Sequence, residues 1–201
     1  MDNETLWAVV IFGSGALGII FALWMARSVL ARDTGTPEMK EIADTIYEGA
    51  TAYLARQYRT IGLIALVTAV VLGVIIYSVG LGEGVEIGRG TAGIMTAAAF
   101  LAGALASGIS GYIGMLVAVR SNIRTASAAR RSLGEALTVA LRGGAVSGFL
   151  IVSLSLMGVG GIYYLYSSIA NSVELAPRLI VGFGFGASFV ALFAQLGGGI
   201  Y

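Results

Sequence analysis

The chain has 201 residues, 57% of them hydrophobic and only 11% charged, with a formal net charge of +1 and a mean hydropathy of +0.89. It contains neither cysteine nor histidine, which excludes disulfides, thiolate metal sites and imidazole proton relays. Thirty glycines without a G-X-Y period, set among apolar residues, point to closely packed membrane helices rather than to disorder or a fibrous repeat.

The acidic start Met1-Asp2-Asn3-Glu4 lacks the basic region of a cleaved leader, so Leu6 to Leu30 is expected to be a retained first span. Four further apolar stretches follow, roughly Ile61 to Leu81, Gly90 to Val119, Ala136 to Ser168 and Leu179 to Tyr201. A bilayer core of about 30 Å needs about 20 mostly apolar residues in a helix, and each stretch approaches or exceeds that. The expectation is an all-α integral membrane protein, a single domain over 1–201 built as a bundle of about five spans in a lipid bilayer.

Between the first two spans, Thr36-Pro37 reads as an N-cap followed by proline at the first helical position. Met39, Ile42, Ile46, Ala50, Tyr53 and Leu54 then recur at helical spacing, with Glu41, Asp44, Glu48, Arg56 and Arg59 around the rest of the wheel. No strong breaker separates this part from Ile61, so one helix is predicted from Pro37 to about Val79, its first half projecting beyond the membrane. In the third span Ala99, Gly103, Ser107 and Gly111 form a small-residue stripe that predicts a helix contact, with Gly111 taken as its most informative position. Ser132-Leu133-Gly134-Glu135 is a capping-box sequence opening the fourth helix, which also overruns the membrane and carries Arg142 just ahead of its uncharged core. Gly182 and Gly186 repeat the small-residue spacing in the fifth.

Placing the first span's end on the cytoplasmic side leaves ten of the twelve basic residues inside; only Arg89 and Arg178 fall in the outer loops, with Glu83, Glu86 and Glu174. That bias predicts an N-terminus outside the cell and explains the arginines as topology, not as a nucleic-acid patch. No Asp, Glu or Lys lies mid-span. The polar candidate within an apolar run is Gln195, in Phe193-Ala194-Gln195-Leu196-Gly197-Gly198-Gly199, and a glutamine there would most simply hydrogen-bond another helix. The glycine triplet is no phosphate loop, since no Lys-Ser/Thr follows it.

Specific strings carry more. Gly35-Thr36-Pro37-Glu38-Met39 and Glu48-Gly49-Ala50-Thr51-Ala52-Tyr53-Leu54-Ala55-Arg56-Gln57-Tyr58 closely resemble the N-terminal region of the membrane-bound, ion-pumping inorganic pyrophosphatases. So do Ser107-Gly108-Ile109-Ser110-Gly111-Tyr112-Ile113-Gly114-Met115, Asn122-Ile123-Arg124-Thr125-Ala126, Leu141-Arg142-Gly143-Gly144-Ala145-Val146, and Gly182 to Ser188 through Gly197 to Tyr201. The resemblance implies a sixteen-helix, homodimeric pump of a cell inner membrane that hydrolyses cytoplasmic pyrophosphate with magnesium (Mg2+) and moves protons or sodium outward. This chain would supply four outer-ring helices and one of six inner-ring helices. The acidic substrate motif would follow Tyr201, so no catalytic or metal-binding residue is assigned here and the fragment alone is expected to be inactive. Gln195 stands where many members have arginine in the ion path, replacing a fixed charge by hydrogen bonding alone. The competing reading is a non-enzymatic membrane bundle, such as part of a secondary transporter or an assembly subunit.

Overall fold

A computed structural model describes residues 3–80, 87–170 and 176–200. The expected outer-loop acids Glu83, Glu86 and Glu174, and Tyr201, lie outside the described residues. Five helices follow in order: α1 (Asn3–Leu30), α2 (Pro37–Val79), α3 (Arg89–Ala129), α4 (Leu133–Ala170) and α5 (Ala176–Ile200). All five are long and apolar enough to cross a membrane.

Local signals account for the helix starts. The Thr36 hydroxyl accepts from the Met39 amide (3.4 Å), and Pro37 occupies the first turn, where no intrahelical donor is lost. Gly35, at φ 77°, makes the left-handed turn that brings the chain into that cap. At α4 the Ser132 hydroxyl accepts from the Glu135 amide (3.2 Å). The reciprocal half of the capping box does not form: the Ser132 amide donates to the Ala128 carbonyl, and the Glu135 carboxylate turns to arginines instead.

At about 1.5 Å per residue, α2 is about 65 Å long, and its continuity through Gly49 and Gly62 follows the unbroken helical pattern. α3 is nearly as long, a feature the span boundaries Gly90 to Val119 did not convey. The residues after Val119 are polar but hold no glycine or proline, so nothing stops the helix before Ala129. The amphipathic stripe of α2 also divides. Ala50 and Leu54 are buried against Met115 and Val119, whereas Ile42 is 63% exposed and borders an open groove between the start of α2 and the end of α3.

α3 is the central helix. It packs against α1, α2, α4 and α5, while α1 and α2 make no contact with each other and α2 none with α4. Glycines set the closest crossings. A side chain on Gly103 would run into the Phe183 carbonyl oxygen of α5, and one on Gly186 into the Phe100 carbonyl oxygen of α3. Gly182 repeats the approach at the Thr96 carbonyl oxygen (2.6 Å from an ideal Cβ), and Gly93 meets Gly73 of α2 (2.5 Å). Small residues thus let backbones touch where lipid gives no hydrophobic drive to association. Gly111 is not the tightest point of its stripe: its ideal Cβ would meet only the Tyr58 hydroxyl (2.8 Å) and the Ala194 Cβ (3.8 Å). Beyond these seams the helices present Leu, Val and Ile outward, and α1 buries only Gly15, Ala22, Met25, Ala26 and Val29. That is the pattern of a helix whose other faces meet lipid or further helices.

Candidate functional site

α5 leans on α3 through Phe183, Gly186 and Val190, which are buried, and turns Ser188, Ala191 and Gln195 the other way. That face borders a cavity of about 510 Å³ between α3, α4 and α5. Its polar lining consists of Ser107, Ser110, Ser147, Ser155, Ser188 and Gln195; small residues such as Gly111, Gly114 and Gly143 keep it open. Ser110 spends its hydroxyl on the Ser107 carbonyl one turn back (3.0 Å). Gln195 is exposed at the cavity and makes no hydrogen bond among the described residues. Its amide is therefore available to a partner that enters from outside these five helices, and leaving it unpaired in hydrocarbon would be costly.

One polar contact beside it escaped the sequence reading. Gln57 of α2 donates from Nε2 to the Phe193 carbonyl (2.6 Å), two residues before Gln195. Its Oε1, like the neighbouring Tyr58 hydroxyl, is buried without a partner among the described residues. The Tyr58 ring meets Tyr112 of α3 edge-on, with centroids 5.6 Å apart. Gln57 sits between arginines at the boundary of the apolar run, and that boundary position hid its reach to α5 from any reading of α2 alone.

The arginines assigned to topology do more than orient the chain. Arg124 donates from Nε and Nη2 to the Leu30 carbonyl (3.1 and 2.8 Å), capping the C-terminus of α1. Arg131 grips Glu135 with two bonds (2.9 and 2.8 Å) and reaches Asp33 (3.3 Å), while Arg32 approaches Glu135 at 3.4 Å. Asp33 also accepts from the buried Ser127 hydroxyl (2.6 Å). That bond, with the Gly35 amide and Arg131 behind it, holds the Asp33 carboxyl below its usual range. The connection 31–36 is thus fastened to the end of α3 and the start of α4. These groups saturate one another, and among the described residues no cluster of three metal-ligating side chains exists. The arrangement is that of a structural clasp, with no nucleophile or acid–base pair poised over a cavity.

The family model described as inorganic H+ pyrophosphatase matches residues 16–201. The chain is 52% identical over 192 residues, 96% of its length, to a protein of Moorella thermoacetica named K(+)-insensitive pyrophosphate-energized proton pump 2. It is 46% identical over 198 residues, 97% of its length, to a K(+)-insensitive pyrophosphate-energized proton pump of Caldanaerobacter subterraneus. Over 203 aligned residues, 96% of its length, it is 43% identical to pyrophosphate-energized membrane proton pump 3 of Arabidopsis thaliana. The chain spans 26%, 28% and 25% of these three relatives. No solved structure matches it at a significant level.

Proposed function

The chain belongs to the inorganic H+ pyrophosphatase family, and on that premise we propose that it is about the first quarter of a pump that couples pyrophosphate hydrolysis to outward proton movement. The observation that supports this most directly is the extent of the match, which runs through all five helices rather than through one motif.

The five helices act in this reading as scaffold and as one wall of the ion path. Among the described residues no three metal-ligating side chains lie together, and Asp33 and Glu135, which meet at Arg131, are engaged with Arg32 and Arg131. In this reading the metal, the substrate and the attacking water belong to the part of the pump that this chain does not cover, as the family resemblance implies, and no step of hydrolysis is assigned to its residues. Gln195 faces the space between α3, α4 and α5, and its unengaged amide would hydrogen-bond a group on an inner helix of the complete pump. Carrying no charge, it would position a polar partner without holding a buried carboxylate in its ionised form. The arginine bias supports an N-terminus outside and the clasp of Asp33, Arg131 and Glu135 in the cytoplasm. The ion assigned in this reading is the proton rather than sodium, as in the relatives' names, and a homodimer in a cell inner membrane is what the family resemblance implies.

The test is expression of the full-length gene in membranes lacking other pyrophosphatases. Addition of pyrophosphate with magnesium should release phosphate and acidify the side opposite hydrolysis, and the 201-residue chain alone should do neither. Hydrolysis without an ion gradient in sealed vesicles would break the coupling reading; an absence of hydrolysis in well-folded protein would break both.

A further inference from the structure

Arg142 stands where the uncharged part of α4 begins. It lies nine residues into α4, about 14 Å along the helix at 1.5 Å per residue, and no charged residue follows it before α4 ends at Ala170. Its guanidinium is oriented from two sides by α1. One nitrogen donates to the Ser28 hydroxyl (3.1 Å), and the group lies over the Trp24 ring, 5.8 Å from its centroid. No carboxylate is among these partners. Asp33 and Glu135 are engaged with Arg32 and Arg131, and α2, which carries the other nearby acids in sequence, packs against neither α1 nor α4. A guanidinium offers five N–H donors, and Ser28 takes one.

The surroundings fit an amphipathic ligand. Trp24 (54% exposed) stacks on Phe21 (44%), centroids 5.4 Å apart, and Phe149 of α4 (40%) meets Phe21 edge-on at 4.9 Å. These three rings form an outward-facing apolar floor across the α1–α4 seam. Beneath it the seam is closed by Ala22, Met25, Val146 and Leu150, so the floor is a surface and not a gap in the packing. Arg27, one turn beyond Trp24, is exposed, and its side chain has no hydrogen bond or ion pair among the described residues. Two arginines without carboxylate partners therefore cap an aromatic strip at the end of the bundle that also carries Arg124, Arg130 and Arg131.

We propose that this seam is a binding site for an anionic phospholipid, whose phosphate is held by Arg142 while its acyl chains lie along Phe21, Trp24 and Phe149. Arg27 adds positive potential at the headgroup level, and the Trp24 ring fixes the guanidinium at the boundary between polar and apolar layers. The complementarity is one of charge as well as of polarity. A zwitterionic headgroup would bring its own cation against Arg27. The inference is independent of the pumping reaction, since it uses only side chains of α1 and α4 outside the cavity that Gln195 lines.

Native mass spectrometry of the detergent-solubilised full-length pump, titrated with phosphatidylglycerol or with phosphatidylcholine of the same acyl chains, tests it. Phosphatidylglycerol should bind more tightly. Arg142→Gln should weaken it by at least about fivefold, the worth of one arginine near an anionic surface. Arg27→Gln should weaken it less, Arg142→Lys should restore most of the loss, and phosphatidylcholine should be unaffected throughout. Arg27 is exposed, so its variant reports on the site even if Arg142→Gln folds poorly. Unchanged phosphatidylglycerol binding in both glutamine variants, as expected if another helix of the pump covers the seam, would overturn the proposal. So would equal loss of both lipids, or displacement of the lipid by inorganic phosphate alone.

Discussion

Replacing Gly103 by alanine adds one methyl group at the crossing of α3 and α5, and the structure leaves that group nowhere to go. An ideal Cβ would overlap the Phe183 carbonyl oxygen and lie 2.8 Å from its carbonyl carbon and 3.0 Å from the Ala187 nitrogen. All three are backbone atoms and cannot rotate aside. Moving the carbonyl carbon out to 3.4 Å, where ordinary contact begins, requires about 0.6 Å of helix separation, and the oxygen requires more. A gap of 0.5–1 Å forfeits roughly a quarter to a half of each contact's dispersion energy, and overpacking of this kind costs about 1–3 kcal/mol. Against this stands the better helix propensity of alanine, at most about 1 kcal/mol in water. The expected net effect is a loss of about 1–2 kcal/mol. Gly184→Ala on α5 is the internal control, because nothing lies within 4 Å of its ideal Cβ, and it should be neutral or slightly stabilising. Gly186→Ala should match Gly103→Ala, because it opposes the Phe100 carbonyl at the same crossing. The double variant should then cost less than the sum, since one separation relieves both clashes. Unfolding of the full-length pump by increasing dodecyl sulfate in mixed micelles, followed by tryptophan fluorescence, measures these differences. If Gly103→Ala proves as stable as Gly184→Ala, α3 and α5 do not cross where the structure puts them.

The clasp gives a pH prediction. Asp33 has a folded pKa held below its usual 3.8, so its contribution is present at neutral pH and is lost as pH falls below about 4; the stability gap between wild type and Asp33→Asn should close over that window. A gap unchanged at pH 3 would assign the effect to shape rather than charge. Arg124→Gln should cost about 1–2 kcal/mol by uncapping the Leu30 carbonyl, with Arg124→Lys recovering part of it, and equal losses in the two variants would count against the cap. In the full-length pump Gln195→Leu should impair ion transport more than pyrophosphate hydrolysis, measured side by side in sealed vesicles; no loss of either would reduce Gln195 to a packing residue. Single cysteines at positions 40 to 48 should react with impermeant reagent from the cytoplasmic side only, and labelling from outside would reverse the proposed topology.

The sequence by itself determined what depends on a few neighbouring residues. Span lengths, the Thr36-Pro37 start, the Ser132 cap and the unbroken run from Pro37 to Val79 are readable because periodicity and capping act within one or two turns. The family was legible too, in strings quoted along most of the chain. Tertiary structure alone decided which small residues touch. Ala99, Gly103, Ser107 and Gly111 look equivalent along one helix, but the angle and rotation of α5 press Phe183 onto Gly103 and leave Gly111 facing Tyr58 and a cavity. It likewise decided the arginines' partners. Arg124 reaches Leu30 and Arg142 reaches Ser28, 94 and 114 residues away in sequence, contacts that local charge patterning cannot encode. The site has the same limit: Gln195 stands out in the sequence as a polar interruption, but the face it turns to the cavity is fixed by where Gly182 and Gly186 let α5 lie against α3. A helix's own sequence sets its apolar surface, whereas its rotation about its axis is set by the neighbour it packs against.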